Sequence, residues 1–165
     1  MQQLDGCSER GFVGVKLHPT SHEYSLTSPQ AQAVFGACEE SGIPVLTHSS
    51  EDDPRCDSEA IRAVAQRYPS LTLVVGHACL FGSRDMVSVA ELHPSLLLEI
   101  SVNYEAGKLE DTIQRVGHER VLFGSDAPLH HPGVMLKRIE MIGLAQRELD
   151  AILGENTCRV FRLNV

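Results

Sequence analysis

The sequence predicts an α/β fold in which parallel strands alternate with helices. Three observations carry that prediction. Short, near-continuous apolar runs, GVKLHP, PVLTHSS, LVVGHA and VLFGSDAP, read as strands buried on both faces. The segments between them carry helix start and stop signals. Strand ends fall near residues 18, 48, 77, 101 and 126, so they recur every 24 to 30 residues, the length of one strand-and-helix unit.

The elements follow in order. Phe12–His18 is the first expected strand. Ser28 then offers an N-cap, and Pro29 suits the first helical position, where its missing N–H costs nothing. Gly42 stops that helix after Ser41. Ile43–His48 is the second strand, and Asp57 or Ser58 caps a helix that ends before Pro69. Leu71–His77 is the third strand, followed by a helix over Ser83–Leu92. Leu96–Ser101 is the fourth, with a helix over Lys108–Val116 that Gly117 ends. Val121–Asp126 is the fifth. Pro132 opens a helix that runs to about Gly143, another covers Gln146–Leu153, and Asn156 caps a last turn through Phe161. A complete barrel of eight such units needs about 250 residues. This chain of 165 holds five units and closing helices as a single domain, residues 1–165.

Composition narrows the function classes. The chain is 42% hydrophobic and 22% charged, as an ordinary globular domain is. A formal charge of -8 argues against a nucleic-acid partner. The apolar stretch Leu71–Gly82 is too short to span a bilayer and contains His77, so no membrane partner is expected. Met1–Arg10 is polar and does not read as a signal peptide. Five cysteines, Cys7, Cys38, Cys56, Cys79 and Cys158, form no CxxC pair, which suits reduced thiols in the cytoplasm.

The strand ends carry the chemistry. Side chains alternate along a strand, so Gly14, Lys16 and His18 share the expected inner face. So do Leu46 and His48; Leu73, Val75 and His77; Leu97, Glu99 and Ser101; and Leu122, Gly124 and Asp126. Polar residues at C-terminal strand ends are where α/β barrels keep their sites. His48, His77 and Asp126 have the donor types of a hydrolytic metal site, a divalent ion with Zn²⁺ the first choice. Asp126 could bind the metal and take the proton of its water, and Lys16 could orient an anionic substrate or, carboxylated, bridge two metals. His18, Arg55 and His130 are candidate substrate contacts. The plainer readings have His18 capping a loop, Glu99 as a partnered buried carboxylate, Asp52, Asp53 and Arg55 as a solvated loop, and His22, His93 and His118 on the surface.

GFVGVKLHP, IPVLTHSS, LVVGHA and RVLFGSDAP, with the C-terminal ILGENTCRVFRL, resemble the later strands and closing helix of the amidohydrolase superfamily, in its amidohydrolase-related branch. The resemblance runs from about Gly11 to Leu163 and implies the C-terminal portion, strands 4–8, of a TIM-like (β/α)₈ barrel. It implies Lys16 on strand 4, a metal-binding His48 on strand 5, and His77 on strand 6 binding a second metal or contacting water or substrate. Asp126, on strand 8, is implied as both metal ligand and general base. The family's HxH pair on strand 1 has no counterpart here, so strands 1–3 are expected to be missing.

The expected function is a metal-dependent hydrolase that acts on a small molecule at a C–N or C–O bond. A non-oxidative decarboxylase of the same branch would use the same metal-contacting residues. A metal-dependent deoxyribonuclease is weaker, because the charge is acidic and Lys16 stands where those enzymes commonly place a glutamate. The absent HxH admits a third class, an inactive partial barrel that acts by binding a partner chain. Open strand edges would favour a homo-oligomer.

Overall fold

The computed structural model describes residue 6 and residues 10–78, 84–102 and 105–164. Five parallel strands, β1 (Val15–Leu17), β2 (Val45–His48), β3 (Leu73–Gly76), β4 (Leu96–Glu99) and β5 (Val121–Leu122), form one sheet in sequence order. The register aligns Lys16 with Leu46, Leu46 with Val74, and Val74 with Leu97. Helices α1 (Pro19–His22), α2 (Pro29–Ser41), α3 (Ser58–Arg67), α4 (Arg84–Leu92), α5 (Ala106–Val116), α6 (Pro132–Met141), α7 (Gln146–Asp150) and α8 (Asn156–Phe161) connect and follow the strands. The expected start of α4 at Ser83, and Cys7 and Cys79, lie outside the described residues.

The punctuation read for the first two long helices works as expected. The Ser28 hydroxyl accepts the Ala31 N–H, Asp57 accepts that of Ala60, and Gly42 leaves α2 at φ 63°. The structure adds a 3₁₀ turn at His118–Arg120 and a π turn at Ala151–Glu155, where one continuous helix was expected to run to Leu153. Asn156 does not cap the last turn as expected: it is the first residue of α8, and its buried side chain donates to the carbonyls of His118 and Val121, fastening the C-terminal helices under β5.

Two apolar layers hold the sheet. Between sheet and outer helices lie Phe35, Val45, Ile61, Leu73, Val75, Leu98 and Val121. Each such side chain contributes about 1.5–3 kcal/mol by leaving water. On the inner face Leu46, Val74, Leu97 and Leu122 meet Val160 and Phe161 of α8. Gly14 permits that approach, since a Cβ there would stand 2.9 Å from the Phe161 ring.

One face assignment is corrected. Leu73 and Val75 belong to the outer core, and the inner residues of β3 are Val74 and Gly76. The ladder ends at Gly76, and His77 takes φ 60°. Counting by twos back from His77 therefore gives the wrong face. Among the described residues no helix is long and apolar enough to cross a membrane. Cys38, Cys56 and Cys158 are not joined in disulfides.

Candidate active site

The C-terminal ends of the five strands bring most of the predicted residues together. Lys16, on the middle of β1, lines a cavity of about 420 Å³ with His77, Glu99, Ser101 and Asp126. His48, the last residue of β2, lines an adjoining groove of about 720 Å³ with Thr20, Asp53 and Arg55. The His48 ring joins the two. Its centroid lies 5.0 Å from that of His77, edge to face, and 4.1 Å from that of His18 in a stack.

Each position has a local cause. His18 follows β1 and caps α1, its Nδ1 accepting the Ser21 N–H at 3.3 Å, so the plain capping role and the stacking on His48 coexist. His77 and Asp126 both have positive φ, 60° and 59°. Such backbone is uncommon for residues with a side chain and gathers at functional sites. Ser101 fixes the His77 ring through a 2.7 Å contact to Nδ1.

Charge is concentrated here. Burial lowers the pKa of Lys16, while the charges of Glu99 and Asp126 oppose that shift. Burial, and then the neighbouring His18, His77 and Lys16, push His48 down to about 4. Neutral imidazole is the form that binds metal. Nδ1 of His48 is buried without a hydrogen-bond partner. Leaving a buried polar atom unpaired is costly, so it is a reason to look for a ligand. His48 thus suits a metal chemically, with the His77 ring beside it. Among the described residues, however, no three His, Cys, Asp or Glu side chains are grouped closely enough to hold an ion by themselves.

The His48 shift has a measurable consequence. Its unfolded pKa lies near 6.5 and its folded one near 4. The unfolded chain therefore binds more protons between those values. The ring's stabilising effect is present above pH 6.5 and is lost as pH falls towards 4. In metal-free protein, His48→Gln is expected to flatten the fall of the urea midpoint over that interval. A slope equal to that of the unaltered chain would remove His48 as its source.

Other predicted residues stand further out. Arg55 pairs with Asp53 at 2.8 Å beside His48. Asp53 is not part of a solvated loop: it is 8% exposed, and Arg55 and the Thr20 hydroxyl hold its carboxyl well below the usual range. His130 follows Asp126 on a turn, its N–H donating to the Asp126 carbonyl at 3.3 Å, and it lines neither cavity. His22 is exposed, whereas His93 and His118 are half-buried rather than on the surface. Sequence reasoning placed Ser101 and Gly124 on the inner face without giving either a role, and passed over Gly76. The available signal was Glu99 and Ser101 two apart on one strand face, opposite a glycine at an inner position.

The sequence matches the amidohydrolase family over residues 2–163. The chain belongs to the amidohydrolase family. A search among curated proteins finds no match. Solved structures share the fold of this amidohydrolase chain. An uncharacterized TIM-barrel protein of Bordetella bronchiseptica is 20% identical with a TM-score of 0.84, over 98% of this chain and 61% of that one. A dihydroxybenzoic acid decarboxylase of Polaromonas sp., solved with manganese and 2-nitroresorcinol, is 16% identical with a TM-score of 0.72, over 99% and 65%. A protein of Pseudomonas putida, provisionally named a 2-pyrone-4,6-dicarboxylic acid hydrolase, is 16% identical with a TM-score of 0.71, over 99% and 68%. The amidohydrolase chain therefore spans 61% of the length of the first of these and has the architecture of a partial TIM barrel.

Proposed function

We propose that the chain carries the proton-handling part of a metal-dependent hydrolase site, opening a C–N or C–O bond of a small anionic substrate. The buried, unpartnered Nδ1 of His48, beside His77 and next to the cavity of Lys16 and Asp126, carries this reading. His48 and His77 would give ligands to the metal, with Zn²⁺ first and Mn²⁺ next, together with donors from outside the described residues, and Asp126 would face it from the cavity it shares with His77. Such a metal would supply Lewis acidity to a water and to the substrate carbonyl. Asp126 accepts the proton of the attacking water and returns it to the leaving group. Lys16 pairs with the substrate's anionic group, His18 and Arg55 border the groove that admits it, and His130 contacts it from the loop after Asp126. The acidic chain has no part for nucleic acid or membrane in this reading, and cysteines outside disulfides, Cys38, Cys56 and Cys158 among the described residues, suit the cytoplasm.

A carboxy-lyase is the second reading, favoured by the similarity to a dihydroxybenzoic acid decarboxylase. Lys16 would then hold the departing carboxylate, the C–C bond would break to release CO₂, and Asp126 would return a proton to carbon. A homo-oligomer belongs to the same proposal, a second copy covering the sheet ends at β1 and β5. Light scattering reads it directly.

The test begins with metal. After incubation with Zn²⁺ or Mn²⁺ and gel filtration, about one ion per chain is expected, falling below about 0.1 in His48→Ala. Less than about 0.1 in the unaltered chain would sink the enzyme reading and leave the partner-binding partial barrel. The loaded chain is then offered carboxylated lactones, esters and amides, and separately dihydroxybenzoates. Hydrolysis supports the first reading and CO₂ release the second.

A further inference from the structure

We infer that Glu99 and Ser101 are positioning residues that set the tautomer of His77, placing its proton on Nδ1 and leaving the Nε2 lone pair free. The consequence for catalysis rests on the proposed active site, but the tautomer itself does not.

The argument is a count of protons. Glu99 is an acceptor facing three donors. Oε1 accepts the Ser101 N–H at 2.8 Å. Oε2 accepts the His77 N–H at 3.2 Å and the Ser101 hydroxyl at 2.8 Å. A hydroxyl has one proton, and a carboxylate has none to give back. Once Ser101 donates to Glu99, only its lone pairs remain to face Nδ1 of His77 at 2.7 Å. That contact is a hydrogen bond only if Nδ1 carries the proton. The reverse orientation would set the lone pairs of Ser101 against a carboxylate oxygen at 2.8 Å. Ser101 is 2% exposed, which leaves little access for water to break the count.

The surroundings hold the carboxylate in this place. Gly124 leaves the space that Glu99 fills, and a Cβ there would stand 2.6 Å from Glu99 Cδ. Gly76 borders the other oxygen, its Cβ position 3.6 Å from Oε2. Lys16 lies near enough for its charge to act on Glu99. Gly76, at the end of β3, and Gly124, just beyond β5, thus leave out a side chain where β4 supplies a carboxylate. The outcome is a strand-end histidine whose Nε2 can bind a metal or accept a proton without first losing one.

The experiment is long-range ¹H–¹⁵N NMR on histidine-labelled, chelator-treated full chain at pH 8, with the His77 signals assigned by their loss in His77→Gln. More than about nine-tenths Nδ1–H tautomer is expected. In Glu99→Gln the amide can donate to Ser101, whose proton is then free for Nδ1, so a several-fold rise of the Nε2–H form is expected. Ser101→Ala should give the mixture of a free imidazole, and Ser101→Thr, which keeps the hydroxyl, should restore the unaltered pattern. If Glu99→Gln does not fold, the two Ser101 variants decide. A charged or Nε2–H His77 in the unaltered chain overturns the inference, as does a tautomer that neither Glu99→Gln nor Ser101→Ala changes. If the tautomer is as expected while the chain binds no metal and turns over nothing, the active-site proposal fails and the positioning role of Glu99 and Ser101 stands.

Discussion

Asp126→Asn is expected to lower kcat by about 10²–10⁴, on whichever substrate the unaltered, metal-loaded chain turns over. The substitution keeps an acceptor oxygen but removes the ability to take up a proton at ordinary pH. It is also gentle on the backbone. Asp126 sits at φ 59°, and asparagine is among the side-chain-bearing residues that tolerate that region best. The carbonyl that accepts from Leu129 and His130 is unaffected. Metal content measured beside kcat separates two routes to inactivity. Full metal with lost turnover assigns Asp126 to proton transfer, whereas lost metal assigns it to the ligand set. Full metal with unchanged kcat excludes Asp126 as the general base.

What the sequence shows of this protein depends on which physical signal each position carries. Caps and stops are local, so Ser28, Pro29, Gly42 and Asp57 could be read without a partner strand. Strand order follows from the regular spacing of apolar runs joined by helices. The inner face of β3 could not be read in the same way. LTLVVGHA is apolar on both faces, so alternation does not fix a register, and the turn at His77 breaks the count. The fifth strand was expected to reach Asp126, but only Val121–Leu122 joins the ladder. Beyond it Gly124 has no side chain to place, and the Glu99 carboxylate occupies the room it leaves. Asp53 looked like solvated loop because its partners come from Thr20, 33 residues earlier, and from a turn that folds Arg55 back on it. Ser101 could be read as an inner-face residue two positions after Glu99, but nothing local pairs it with His77, 24 residues earlier. Its part is visible only once Glu99 and His77 are seen together. The residues that bear the proposed chemistry were therefore legible from their types and spacing, whereas those that orient them depend on cross-strand geometry.

Gly124→Ala tests that cross-strand geometry with a large expected effect. The glycine is not required by its backbone, because it is absent from the positive-φ glycines, which include Gly42 at 63° and Gly117 at 86°. What an added Cβ meets is the Glu99 side chain, and it would overlap the carboxylate outright. Overpacking of this kind costs about 1–3 kcal/mol, read as a lower urea midpoint. Displacing the carboxylate also withdraws the acceptor from Ser101 and His77, so the His77 tautomer should become mixed in the same variant. Glu99→Ala alone should destabilise as well, by leaving three donors without their acceptor. The two substitutions together should cost less than their sum by about 1 kcal/mol or more, because removing the carboxylate vacates the space that the new methyl needs. The tautomer should stay mixed in that double variant. Recovered stability without recovered His77 would separate the packing role of Gly124 from the orienting role of Glu99. Strict additivity would mean that the methyl clashes with something else, and that Gly124 and Glu99 do not share one space.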